Sequence, residues 1–247
     1  MTTAASRSLH ELKNEYAAAR DEYEQLSKLA EPAPSAQAII LPETLQSRFS
    51  EAAVPEEPSP MGAQAGGAAG AAPTAALLTD FSEINSDYIG WITIEGVLDY
   101  PVVRGRDNIE YINTTFTGQT NSVGTIFMDS RLEVGFEEAV AILYGHNMGD
   151  GSMFAPLHKY SDAAFMAGHP YITITTPAGD TLVYRIFSAV YTDVWDAAYC
   201  LDFADGAAAA STFSGAPMGA DRFLLLSTCT GSANRDARLL VYASLVV

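Results

Sequence analysis

The segment Ala139-Val-Ala-Ile-Leu-Tyr144 is apolar at every position. Such a run is too short for a stable helix and long enough for a strand. A strand without polar alternation has to be covered on both faces or form the wall of a barrel. Similar segments surround it. Trp91-Ile-Thr-Ile-Glu-Gly-Val97 and Asp99-Tyr-Pro-Val-Val103 predict two strands joined near Gly96. Thr125-Ile-Phe-Met128 predicts another. Tyr171–Thr176 and Thr181–Val190 flank a Pro-Ala-Gly-Asp turn, a hairpin pattern. Arg222–Ser227 and Leu239–Val247 complete the set. Short helices are predicted at Thr79–Tyr88 (with Thr79 as N-cap), Asp107–Asn113 and Lys159–Ala167. Many short strands and only small helices point to a closed or nearly closed β-barrel.

This barrel occupies residues 79–247. Upstream, Leu9, Leu12, Tyr16, Ala19, Tyr23, Leu26 and Leu29 recur at spacings of three and four, one apolar stripe on a helix that Pro32 and Pro34 stop. Residues 1–30 are thus an amphipathic helix, packed on its own domain or, in a sharper reading, forming a self-associating stalk. Residues 31–78 are rich in Ala, Pro and Gly, with no aromatic residue between Phe49 and Phe81. They bury too little apolar surface to offset their ordering entropy, so a flexible linker is expected.

A net charge of -17, with Lys only at positions 13, 28 and 159, excludes nucleic-acid binding and a polybasic membrane patch. Cys200 and Cys229 are too few for a disulfide scaffold or a Cys-rich zinc site. No apolar stretch approaches the ~20 residues of a membrane-spanning helix, and the first residues lack the apolar core of a signal peptide. The chain is therefore expected to be cytosolic or to lack a targeting segment lying upstream.

Three residues are placed for chemistry. Cys229, in Leu-Leu-Leu-Ser-Thr-Cys-Thr-Gly, sits where a buried strand ends and a loop begins, so its thiol is presented at a rim on a rigid backbone. His146, in Leu-Tyr-Gly-His-Asn-Met-Gly, has the same setting after another apolar strand. An imidazole beside a thiol can favour the thiolate or protonate a leaving amine. Arg238 opens the final strand, and its permanently charged guanidinium suits a developing oxyanion. His10, His158 and His169 lack such settings and are expected to be ordinary helix, loop and turn residues.

Tyr144-Gly-His-Asn-Met148, Leu226-Ser-Thr-Cys-Thr230 and Asp236-Ala-Arg-Leu-Leu-Val241, in that order on a β-rich domain, resemble the sortases, most closely class B. Asp87-Tyr-Ile-Gly-Trp-Ile92, Asn108-Ile-Glu-Tyr-Ile-Asn113, Gly124-Thr-Ile-Phe-Met-Asp129 and the stretch from Gly151 to Tyr160 match as well. The resemblance covers about residues 79–247. It implies a mainly β fold, a closed eight-stranded barrel with short helices and a shallow peptide groove, to which the N-terminal helix is joined by the linker. It implies a cysteine transpeptidase that cleaves a C-terminal sorting signal after Thr through a thioacyl-enzyme and joins the product to a peptidoglycan or pilin amine. Cys229 would be the nucleophile, His146 the general acid/base and Arg238 the stabiliser of the substrate carbonyl. Asn108, Tyr144 and Ser227 match positions lining the groove. No metal or organic cofactor is implied. The protein would work on the extracytoplasmic face of a Gram-positive-type membrane, through an anchor absent from this chain.

Some features depart from the family pattern. The linker is unusually long, and the insert between Val194 and Arg222 is small and Ala-rich where class B members often carry a larger helix. A pilin-polymerising role, a catalytically silent envelope-binding barrel and a hydrolase on the same scaffold are the alternatives. Leu41-Pro-Glu-Thr-Leu45 resembles a sorting signal but is taken as coincidence, since it lacks the terminal Gly or Asn, the apolar span and the basic tail. Cys200 is expected to be unbridged, because pairing with Cys229 would abolish a thiol mechanism.

Overall fold

A computed structural model describes residues 9–30 and 81–246. The expected linker, the Leu41–Leu45 motif and the Thr79 cap lie outside the described residues.

Eight strands form one closed barrel. They are β1 (Tyr88–Ile94), β2 (Leu98–Val103), β3 (Ile126–Met128), β4 (Val140–Tyr144), β5 (Tyr171–Thr175), β6 (Thr181–Asp193), β7 (Phe223–Cys229) and β8 (Ala237–Leu245). Around the barrel the order is β1-β2-β3-β4-β7-β8-β6-β5, closing from β5 back to β1. β2/β3 and β4/β7 are parallel and the other pairs antiparallel. Among the described residues, closure leaves no strand at a sheet edge.

The apolar runs explain themselves once the layers are seen. Along β7, Leu224 and Leu226 point into the barrel, while Phe223 and Leu225 belong to a second core on its outer surface. Along β4, Ala141 and Leu143 point in, Val140 and Ile142 out. The outer core is roofed by a 3-10 turn (Ala197–Cys200) and by a short α-helix, Gly206–Thr212, both from the small insert. These two strands are therefore buried on both faces, and at ~25 cal/mol per Å² their side chains supply much of the hydrophobic stabilisation.

The N-terminal helix α1 (Leu9–Leu29) lies against the barrel. Ala19, Tyr23 and Leu26, on the predicted stripe, are buried there. The Tyr23 hydroxyl donates to the Gly124 carbonyl, and Glu15 accepts from the Ser122 amide at 2.7 Å. The middle of the stripe is thus covered by the chain's own barrel, while Leu29 at its end is exposed. Among the described residues no helix is long and apolar enough to cross a membrane.

The predicted short helices are broken differently. Thr79–Tyr88 contains a 3-10 turn at Phe81–Glu83, and Asp107–Asn113 one at Glu110–Ile112. Lys159–Ala167 divides into a 3-10 helix (Ala155–Ser161) and α2 (Ala163–Gly168), because Asp162 leaves the helical conformation and caps α2 through the Ala164 amide. The helix in the insert, Gly206–Thr212, is α3.

Candidate active site

Cys229 is the last residue of β7 and is exposed. Directly across the β7/β8 ladder stands Arg238. Residues opposite each other in an antiparallel pair share a face of the sheet, so thiol and guanidinium start from neighbouring backbone positions on one face. Arg238 is half-buried, and its Nη1 donates to the carbonyls of Arg235 (2.7 Å) and Ala237 (3.0 Å). Those bonds hold the guanidinium at the strand's entry.

His146 arrives from the other side of β7. The parallel β4/β7 register pairs Tyr144 with Ser227, and the Gly145 amide then donates to the Ser227 carbonyl at 3.2 Å. The next step of chain brings His146 level with the end of β7. Its Nε2 is 2.7 Å from the Ile112 carbonyl. A carbonyl only accepts, so Nε2 carries the proton and Nδ1 is left for the site. Gly145 is required here by contact: a Cβ at that position would lie 2.7 Å from the Phe154 ring.

The three groove candidates are joined by one hydrogen-bonded network. The Tyr144 hydroxyl donates to Asp129 at 2.8 Å, and Asn108 accepts from the Ser130 amide at 2.8 Å. Arg131 grips both oxygens of the fully buried Asp129, at 2.8 and 2.7 Å. The same guanidinium donates to the Tyr199 carbonyl at 2.9 Å. The Tyr199 ring stacks on Tyr144 with centroids 6.4 Å apart, and its hydroxyl meets the Ser227 hydroxyl at 2.8 Å. Burial alone would push the Asp129 carboxyl up, but the Arg131 fork and the Tyr144 hydroxyl hold it at about 2. Burial, then the Asp129 charge, push the Tyr144 phenol well up. Tyr199 is also raised by burial, partly offset by its bond to Ser227 and by the Arg238 charge. Arg238 and Cys229 therefore both lie within electrostatic reach of the Tyr199 hydroxyl.

Sequence reasoning did not find Tyr199, Asp129 or Arg131. It also set aside His158, whose Nε2 is 3.1 Å from the Cys229 carbonyl. His169 is a turn residue bonded to the Glu95 carbonyl, as expected. Cys200 and Cys229 are both free thiols. Among the described residues no group of His, Cys, Asp and Glu could hold a metal ion. A cavity of about 1470 Å³ lies between α1 and β1/β2, lined by Tyr16, Tyr23, Tyr100 and His169, and contains none of Cys229, His146 and Arg238.

A sortase-domain family model matches residues 92–246, which include the whole arrangement around Cys229. The chain belongs to the sortase family. It is 34% identical over 183 residues to sortase B of Listeria monocytogenes, covering 68% of this chain and 74% of that one. The structure of Clostridium perfringens sortase B superposes with a TM-score of 0.60 at 27% identity, covering 67% of this chain and 97% of that one. A substrate complex of Staphylococcus aureus sortase B gives a TM-score of 0.66 over 94% of this chain and 98% of that one. At 24% identity, that likeness is one of fold. The sortase is accordingly most like class B, with the barrel that this class shares.

Proposed function

We propose that this sortase is a cysteine transpeptidase in which Cys229, His146 and Arg238 act on one scissile amide. The Cys229 thiolate attacks the carbonyl carbon that follows the Thr side chain of an extended sorting peptide. The carbonyl electrons move onto oxygen, where the Arg238 guanidinium donates to the oxyanion. The tetrahedral centre collapses, the C–N bond breaks, and His146 gives the departing amine the Nδ1 proton that it took from the Cys229 thiol, while its Nε2–H stays on the Ile112 carbonyl. A thioester remains on Cys229. An incoming amine attacks it, His146 takes the amine's proton, and the sulfur leaves as thiolate. A peptidoglycan or pilin amine is the acceptor, and the reaction takes place on the outer face of the membrane.

The observation that carries this reading is the register. Three strands, β4, β7 and β8, lie side by side, with Cys229 at the end of β7 opposite Arg238 near the start of β8, and His146 two residues beyond the Tyr144–Ser227 pair that closes the β4/β7 ladder. The exposed strand end suits an extended peptide, and Asn108, Tyr144 and Ser227 would border it. The test is incubation with a panel of pentapeptides and an amine, read by mass spectrometry. A thioacyl adduct is expected on Cys229, with amine-dependent product. Cys229→Ala should form neither, and Arg238→Lys should lose most turnover, because a point charge does not reproduce the guanidinium fork. Release of product by water alone, unaffected by the amine, would favour a hydrolase instead.

A further inference from the structure

His158 lies in the Ala155–Ser161 helix, between Leu157 and Tyr160, which are almost completely buried. The Tyr160 hydroxyl is tied to the His169 carbonyl at 2.8 Å, so the backbone carrying the imidazole is pinned on both sides. From there the ring reaches across more than seventy residues of sequence to the end of β7, where Nε2 meets the Cys229 carbonyl at 3.1 Å. Nδ1 meets the Tyr191 hydroxyl of β6 at 3.2 Å, and the two rings stack with centroids 5.9 Å apart.

The Cys229 carbonyl needs such a partner. Two residues earlier the Ser227 carbonyl is taken by the Gly145 amide of the neighbouring strand. By Cys229, β4 has left the ladder, and the chain enters the exposed loop 231–236. A strand end next to an exposed loop frays when its last peptide groups lack partners. The imidazole suits the task in either charge state. A carbonyl only accepts, so Nε2–H donates whether or not Nδ1 is protonated. The neutral Nδ1 accepts from the Tyr191 hydroxyl, and the charged one donates to it.

We propose that His158 is a positioning residue for the transpeptidation. By donating to the Cys229 carbonyl it holds the nucleophile's peptide in the β7 ladder, opposite Arg238, while the substrate is attacked. His158 touches no reacting atom; it acts through the backbone of Cys229. This rests on the reading of Cys229 as the nucleophile.

The test compares His158→Phe, which keeps a flat ring and removes the donor, with His158→Gln, whose side-chain amide falls near the position of Nε2. Steady-state turnover of a sorting peptide is measured together with hydrogen exchange of the backbone amides of residues 227–236 and the thermal midpoint. Loss of one oriented hydrogen bond predicts that His158→Phe lowers kcat about tenfold with KM within about twofold. The 227–236 amides should exchange faster and the thermal midpoint should stay near that of wild type. His158→Gln should return kcat to within about threefold of wild type. Tyr191→Phe, which frees the ring from its other partner without touching Cys229, should lower kcat by about twofold. Wild-type kcat in His158→Phe, or a loss in His158→Gln as deep as in His158→Phe, would overturn the proposal while leaving the transpeptidase intact. A wild-type chain that turns over no sorting peptide would instead overturn the transpeptidase reading on which it depends.

Discussion

Asp129 offers the sharpest quantitative test of how the groove is held. Its side chain is fully buried, gripped by the Arg131 fork and bonded to the Tyr144 hydroxyl. An ordinary aspartate titrates at 3.8, and Asp129 at about 2. At about 1.4 kcal/mol per pH unit, that separation is worth roughly 2–3 kcal/mol of stability. The sign follows from the direction. A carboxyl whose folded-state value is depressed contributes fully above its unfolded value and loses that contribution as pH falls through the folded one. The stabilisation is therefore complete above about pH 5 and fades between about pH 4 and pH 2. Asparagine, a neutral isostere, should impose at neutral pH what protonation does to the wild type only in acid. Asp129→Asn should lower the thermal midpoint at pH 7 by roughly 5–10 °C, from the usual few degrees per kcal/mol for a chain of this size. Urea unfolding from pH 7 to pH 2 is the assay. Glu24, Asp107 and Glu110 also have depressed values, but they are common to both chains, so the difference between the two curves isolates Asp129. The curves should converge in acid. Parallel acid limbs, or equal midpoints at pH 7, would refute the assignment of this stability to the buried ion pair.

Other expectations follow from single contacts. Leu225 is fully buried in the outer core, so Leu225→Ala should cost about 3 kcal/mol in urea unfolding through the cavity left under α3. Tyr199→Phe removes the hydroxyl bonded to Ser227 and should raise KM for the sorting peptide by about fivefold with kcat little changed, the equivalent of ~1 kcal/mol. Gly145→Ala forces a Cβ to within 2.7 Å of the Phe154 ring. It should cost about 1–3 kcal/mol in stability, seen as a lower urea midpoint, and should lower kcat by displacing His146.

All eight strands are visible in the sequence because their signal is local and strong. Those of Val140–Leu143 in β4 and Phe223–Leu226 in β7 are the strongest, since each run is covered inside by the barrel core and outside by the insert, and every residue in it is apolar. That two-sided burial also made Cys229 and His146 conspicuous, for each follows directly on a run that can only be a strand. Arg238 is legible for the same reason. Helix limits were harder to see, because the Lys159–Ala167 pattern continues through Asp162 in composition while the Asp162 side chain turns to cap α2.

Two of the residues that sequence reasoning missed, Arg131 and His158, have partners distant in the chain. Arg131 is 68 residues from the Tyr199 carbonyl it holds, and His158 is 71 residues from the Cys229 carbonyl. Nothing in the neighbourhood of His158 distinguishes it from a histidine in any short helix, and nothing around Asp129 announces a buried carboxylate. Closure of the barrel supplies both pairings. The parallel β4/β7 step takes the chain away after Tyr144 and returns it as β7 only after β5, β6 and the insert have been laid down. The long excursion between them delivers His158 and Tyr199 to the end of β7. The groups proposed to react in this sortase are therefore placed by strand ends, which local sequence reveals. The groups proposed to steady them are placed by topology, which it does not.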